Sequence, residues 1–245
     1  MSNKSGTSAT VLRALKVLNH LKESPGPQSV KNISEDMGIS TTIVHRLLTT
    51  LKLEGFVFQD SQSKLYSLGT VFIEYANKIV TELPFAPIIE PWLVQLRNKT
   101  NETVGFYIPN GHTRLCVMEY ESEQEIRRSV GVGTKLPITV GATGRAILAF
   151  QSSQMQKEVI SNLSKKESTL LIDKLKDTKK YGYAVSYEEI NDNVTAISAP
   201  VYDHQKQVIG AISISGPKFR FDKSHTDKYI DTLLDATSEI EKAFK

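Results

Sequence analysis

The sequence predicts an α+β protein of two domains joined by a helix, and three observations predict it. Residues 33–66 read as a helix, a turn, a second helix and a β-hairpin. Residues 103–120 and 196–215 each hold two strand-like segments around a polar turn. Between these regions, residues 69–82 return to helical spacing and stop at Leu83-Pro84. The boundaries that follow are 1–68 for a winged helix-turn-helix domain, 69–84 for a linker helix, and 85–245 for a domain with an antiparallel sheet flanked by helices.

In the first domain, residues 1–7 are polar and expected to be disordered. From Thr10, the residues Val11, Leu12, Leu15, Leu18 and Leu21 give an apolar helix face expected to pack behind the next two helices. Pro25-Gly26-Pro27 ends it. Ser34 is placed to cap a short helix through Met37, and Gly38 breaks that helix. Ser40 is placed to cap a second helix running to Glu54. Its inner face carries Val44, Leu47, Leu48 and Leu51; its outer face shows Thr41, Thr42, His45, Arg46 and Thr49, all side chains able to donate hydrogen bonds. A helix-turn-helix places the start of such a second helix in the DNA major groove. The strand Phe56–Gln59, the turn Asp60 to Ser63 and the strand Lys64–Leu68 form the wing, with Lys64 aimed at phosphate. An ordinary αα-hairpin followed by a β-hairpin has the same outline.

Residues 69–82 carry Val71, Phe72, Tyr75, Ile79 and Val80 on one face, which reads as a linker helix and a dimer contact. Ile88–Lys99 is an amphipathic helix containing the one Trp, Trp92. Thr103–Ile108 and Arg114–Tyr120 pair across Pro109–His112. After the acidic loop 121–125, Ile126–Val132 reads as a further strand. Pro137–Ala142 leads into a helix over Thr143–Phe150, followed by helices at Ser153–Leu163 and Glu167–Tyr181. Ala196–Tyr202 and Val208–Ser215 are strong strands around the turn 203–206. Asp222 caps a last helix with Tyr229, Ile230, Leu233, Leu234 and Ile240 inward. Ser213 and Ser215 alternate with Ile212 and Ile214, so the hydroxyls share one strand face and the isoleucines the other.

Composition narrows the function. The net charge of +3 lies wholly in residues 1–68, which hold eight basic and five acidic side chains; the rest is balanced. A modest excess on a small module suits DNA binding by a dimer or higher oligomer. No apolar run approaches the roughly 20 residues that span a bilayer, and a cytoplasmic location is expected. Cys116 is the only cysteine, so no intramolecular disulfide or cysteine metal cage is expected; it reads as a small core residue. The five histidines lack metal-ligand spacing, the stretch GATGR at 141–145 lacks the phosphate-loop ending, and no nucleophile elbow is present. Neither catalytic residues, a metal nor a cofactor is expected.

Residues RALKVLNHL at 13–21, ISEDMGISTTIVHRLLTTLKLEGF at 33–56 and YSLG at 66–69 outline a winged helix. Together with KLPITVGATGRAILAF at 135–150, GYAVSYEE at 182–189 and ISAPVYDHQKQVIGAISISGP at 197–217, they resemble the IclR family of bacterial transcription regulators over nearly the whole chain. The resemblance implies a GAF-like effector-binding second domain, dimers through the first domain and linker, and tetramers through the second. It implies regulation by a small metabolite, often an organic or aromatic acid, with repression, activation or both as output. Carried onto this chain residue by residue, the family pocket falls on Leu136, Ala142, Thr143, Ser186, Val194, Ala196, Ser213 and Ser215. Three positions depart from the family pattern: Ser186 replaces an aspartate, Asn193 a glycine, and Arg128 an apolar pocket residue. Losing a carboxylate and gaining a guanidinium favours an anionic ligand held by Arg128.

The reading that follows is a DNA-binding transcription regulator, preferentially a repressor. It contacts double-stranded operator DNA through Ser40, Thr41, Thr42, His45, Arg46, Thr49 and Lys64, and answers to a carboxylic acid bound by the pocket residues above. The alternative is an enzyme or metabolite-binding protein whose winged helix serves protein contacts.

Overall fold

The computed structural model describes residues 6–244, so the first five residues of the expected polar tail lie outside the described residues. The chain divides into two compact units, Met1–Leu83 and Pro84–Lys245.

In the first unit, α1 (Ala9–Glu23), α2 (Val30–Met37) and α3 (Thr41–Leu53) pack around Val17, Leu21, Ile33, Val44, Leu47 and Leu48, and the hairpin β1 (Val57–Gln59) and β2 (Tyr66–Leu68) closes the core with Val57 and Tyr66. The buried face of α1 differs from the expected one. Val17 and Leu21 face the core with Ala14 and Leu18 against them, whereas Val11, Leu12 and Leu15 are exposed. Val11 sits in the first turn, beyond the core, and the helical period puts Leu12 and Leu15 on a different face from Ala14, Val17, Leu18 and Leu21. Capping differs too. Helix α2 starts one turn earlier than expected, capped by Ser29 through the Asn32 N–H, while Ser34 donates instead to the Ile39 carbonyl. Gly38 closes α2 in the left-handed region (φ 64°), as the sharp turn into α3 requires. Ser40 occupies the N-cap of α3 but its side chain makes no capping hydrogen bond. A single bridge between Gln28 and Tyr66 adds a third backbone partner to the wing. The helix α4 (Val71–Thr81) buries none of its residues; Phe72 and Tyr75 touch Phe56, and Ile73, Tyr75, Ile79 and Val80 are exposed.

The second unit is a six-stranded antiparallel sheet in the order β5-β4-β3-β8-β7-β6, formed by β3 (Thr103–Asn110), β4 (Thr113–Tyr120), β5 (Lys135–Pro137), β6 (Ala184–Tyr187), β7 (Val194–Tyr202) and β8 (Val208–Pro217). Helices α5 (Ala86–Thr100) and α9 (Lys223–Ala243) lie on the face that carries Phe106, which meets Phe85 edge-on. Helices α6 (Gly141–Leu148), α7 (Ser153–Ser161) and α8 (Lys165–Tyr181) cover the other face, with Ile147, Leu148, Val159, Leu171 and Leu175 in its core beside Cys116 and Tyr107. Asp222 caps α9 through the His225 N–H, as expected.

Residues 126–132 do not form the expected strand. The Glu119 carboxylate accepts from the Val130 and Gly131 N–H groups and from the Ser129 hydroxyl, taking the donors a strand ladder would need. Gly131 and Gly133 have φ of 85° and 88°, which breaks an extended run. The edge position beside β4 goes to the shorter β5 instead.

Candidate functional site

The outer face of α3 presents Thr41, Thr42, His45, Arg46 and Thr49 to solvent, with Ser40 exposed at its start. The α-helical period produces this, because Val44, Leu47 and Leu48 are claimed by the core. One expected donor is spent: the Thr49 hydroxyl donates back to the His45 carbonyl at 2.8 Å, which leaves its oxygen as an acceptor. The wing turn is organised by Asp60, whose carboxylate accepts from the Ser63 N–H and hydroxyl at 2.7 Å each and from the Gln62 N–H. Those hydrogen bonds, led by the Ser63 backbone, hold its pKa below the ordinary carboxylate value. Lys64 follows in the left-handed conformation (φ 59°) and is exposed at the hairpin. Lys52 reaches from α3 to Gln59 in β1 at 3.0 Å, and Gln59 donates to the Lys64 carbonyl, so α3 and the wing are tied together.

In the second unit, the nine residues expected in an effector pocket line one cavity: Arg128, Leu136, Ala142, Thr143, Ser186, Val194, Ala196, Ser213 and Ser215. Its floor is the sheet face formed by β6, β7 and β8, where Ser186 pairs with Ala196 and Ala196 with Ser215. Ile212 and Ile214 are fully buried on the opposite face, as the period-two pattern requires. The roof is the first turn of α6. The walls are the 126–133 segment and the 188–193 segment.

The sequence reading missed Tyr107, Arg114, Val130, Gly141, Ile190 and Asn191, which also line the cavity. Arg114 is the most consequential. It is 2% exposed, and its Nη1 donates to the carbonyls of Pro137 and Val140, the latter at 3.0 Å. Its Nε is buried with no hydrogen-bond partner, and no ion pair reaches it among the described residues. Burial lowers its pKa to about 10, with nearby Arg145 acting in the same direction and Tyr107 and Glu189 opposing. It remains a cation at neutral pH. A signal was present in the sequence: Arg114 shares strand parity with Cys116, so an inward Cys116 implies an inward Arg114.

A second buried guanidinium, Arg145 of α6, is neutralised. It pairs with Glu189 and donates to the Val185 carbonyl. Glu189 also accepts from Lys174 at 2.9 Å and from the Gly141 N–H at 3.1 Å. Burial alone would raise the Glu189 pKa; the hydrogen bonds from Arg145 and Lys174 outweigh it, and the net shift is downward. This cluster holds the 188–193 segment against the start of α6. Asn193, in the position where the family resemblance puts glycine, has φ 58°, a conformation that asparagine tolerates better than most side chains. Tyr107 is held well above the ordinary phenol range by burial, with Cys116 and Glu119 adding to it, so it stays neutral.

The cavity measures about 40 Å³, room for a few water molecules, each of which needs about 10–15 Å³ on this measure. Beside it lies an open cleft of about 1040 Å³ that shares Arg128, Asn191 and Val194 with it. Arg128, expected to hold an anion, stands at that shared rim; it is half-buried and its Nη1 donates to the Ser129 carbonyl at 2.6 Å. Among the described residues no helix is long and apolar enough to cross a membrane, and no cluster of His, Cys, Asp and Glu is arranged to hold a metal.

Two family descriptions match the chain: "IclR helix-turn-helix domain" over residues 10–61 and "Bacterial transcriptional regulator IclR C-terminal" over residues 77–242. The chain is 29% identical to the HTH-type transcriptional regulator KipR of Bacillus subtilis (strain 168), covering 99% of this chain and 98% of KipR. It is 26% identical to the acetate operon repressor of Salmonella typhimurium, covering 98% of this chain and 91% of that protein. The crystal structure of the Thermotoga maritima IclR superposes with a TM-score of 0.76 at 26% identity, covering 96% of this chain and 98% of that one.

Proposed function

We propose, for a chain that belongs to the IclR family of bacterial transcriptional regulators and is a DNA-binding regulator rather than an enzyme, that it is a repressor whose operator affinity is set by a small organic acid bound in the α6 cavity. The observation that carries this reading is the convergence of nine residues, scattered from Arg128 to Ser215 in the sequence, on one cavity at the start of a helix. The helix start contributes unsatisfied N–H groups and a positive dipole end, and Ser213, Ser215, Ser186 and Thr143 contribute hydroxyls. The acetate operon repressor supports repression as the output by its name alone. The acid regulates by binding one arrangement of the protein better than the other, since equal affinity for both would shift nothing.

On the DNA side, the exposed face of α3 enters the major groove and Lys64 lies on phosphate. Two copies act together, and the exposed Ile73, Tyr75, Ile79 and Val80 of α4 supply an apolar dimer contact. A tetramer forms through the second units. Access to operator DNA places the protein in the cytoplasm.

Arg46→Ala tests the DNA reading. Against a genomic fragment enriched by the wild-type chain, fluorescence anisotropy is expected to give binding about 10-fold weaker or more, on the order of 1–3 kcal/mol if Arg46 reads a base. Lys64→Ala weakens all sequences alike and lowers the slope of log K against log salt by about 1. Unchanged affinity and unchanged sequence preference for Arg46→Ala would remove α3 from the interface.

A further inference from the structure

We propose that Arg114 is the specificity-determining residue of the α6 cavity: the unused Nε/Nη2 edge of its guanidinium takes the carboxylate of a compact carboxylic acid. This rests on the reading of the cavity as the effector site and names the ligand group that the cavity selects.

A guanidinium has two N–H bonds lying parallel along its Nε/Nη2 edge, the geometry that grips a carboxylate through both oxygens. In Arg114 the other nitrogen, Nη1, is committed to the Pro137 and Val140 carbonyls. The Nε/Nη2 edge has no acceptor among the described residues, although Nε is buried. Holding the Pro137–Val140 connection explains one nitrogen of the three, and a neutral donor would do that work without a charge. A buried charge with no counter-charge is costly, and such groups are retained chiefly where a function uses them.

The charge balance around the cavity points the same way. Glu189, the nearby carboxylate, is already engaged by Arg145, Lys174 and the Gly141 N–H. That leaves Arg114 as the buried guanidinium with no carboxylate partner among the described residues, and an anion as the ligand that would balance it. The first turn of α6 reinforces it. A Cβ on Gly141 would stand 3.1 Å from Arg114 Nη2, so the guanidinium abuts the helix start. Val140 provides no side-chain cap there, and the Ala142 and Thr143 N–H groups are the unsatisfied donors of that turn. The ligand therefore meets a guanidinium edge and a helix N-terminus on one side and the Ser215 hydroxyl on the other, beside Ser213, whose hydroxyl donates to the Ile197 carbonyl at 3.3 Å. At about 40 Å³, the cavity is small enough to favour a compact acid. Arg128, Asn191 and Val194 are the wall residues shared with the open cleft.

The test is isothermal titration and thermal shift on the full chain with acetate, lactate, pyruvate and benzoate, each beside its primary amide. At least one acid is expected to raise the melting midpoint, with its amide at least about 30-fold weaker. Arg114→Gln is expected to weaken the acid by at least about 30-fold and leave the amide unchanged. Arg114→Lys, which keeps the charge without the parallel edge, falls between and guards against a folding defect in the first variant. An amide as tight as its acid, or an acid binding Arg114→Gln within about 3-fold of wild type, overturns the proposal. Silence of all four acids overturns it as well. A set of neutral and cationic metabolites separates the two readings. Stabilisation by one of those that is lost in Ser213→Val keeps the cavity as the effector site while the Arg114 assignment falls; silence of every compound removes both.

Discussion

Leu48→Ala is expected to abolish operator binding while leaving the melting of the second unit unchanged. Leu48 is fully buried between the helices of the first unit, and deleting such a side chain costs about 2–5 kcal/mol, the lost transfer energy plus the cavity left behind. The first unit ends at Leu83 and has one small core. A single core of that size rarely supplies more than about 3–5 kcal/mol, so this one substitution consumes most of the stability that presents α3. Leu53→Ala is the control: the side chain sits on the same helix at 82% exposure, and its expected effect is within about 0.5 kcal/mol. Circular-dichroism melts resolved by unit, with anisotropy for DNA, read both. A Leu48→Ala protein whose first unit loses less than about 1 kcal/mol would mean that the HTH core relaxes far more than its packing implies.

Glu189→Gln is expected to destabilise the second unit by about 2 kcal/mol and to loosen the 188–193 segment beside the cavity. Removing the charge leaves Arg145, which is 3% exposed, without its counter-ion and close to the equally buried Arg114. Breaking a buried pair costs more than the pair itself is worth, because the remaining charge stays desolvated. The partial exposure of Glu189 places the estimate below the usual range for such pairs. The pH dependence has a definite sign. The Glu189 pKa in the folded protein lies below its ordinary value of 4.5. Its contribution is therefore present above about pH 4.5 and is lost as pH falls through the folded value. The stability gap between wild type and Glu189→Gln should be constant near neutrality and close in acid. Denaturant melts from pH 7 down to pH 3.5 measure it; a gap that widens in acid would contradict the assignment of Glu189 as the depressed carboxylate. Glu239→Gln, which breaks the exposed pair with Lys242, should cost close to nothing at any pH.

Much of the architecture was legible because it rests on local periodicity. The 3.6-residue spacing of Val44, Leu47, Leu48 and Leu51 identified α3 and, by exclusion, its outer face. Period two sorted Ser213 and Ser215 from Ile212 and Ile214. The misreadings share a cause: competition between partners for the same backbone group. Ile126–Val132 has strand-like composition, but the Glu119 carboxylate captures its donors from a different strand. Ser34 has the composition of a cap, but the helix begins at Val30 under Ser29, and the Ser34 hydroxyl, inside the helix, donates to the Ile39 carbonyl. On α1, five apolar residues compete for a core that takes only two, Leu18 packed half-buried against it and Leu21 buried in it, and that takes Val17 and Ala14 besides.

The sequence by itself determined two domains, the helices and hairpin of the first, the solvent-facing donor face of α3 and the family to which the chain belongs, but not the strands β5 and β6. Those properties depend on spacing within a segment, which a linear chain displays directly. Only the tertiary structure decided which guanidinium faces the cavity unmatched. Arg114, Arg128 and Arg145 look alike in the sequence. One is spent on Glu189, one stands at the rim on the Ser129 carbonyl, and one is buried with its carboxylate-gripping edge unused. That difference arises from the three-dimensional contacts each side chain finds, and charge at a buried site is governed by those contacts and by desolvation rather than by sequence neighbours.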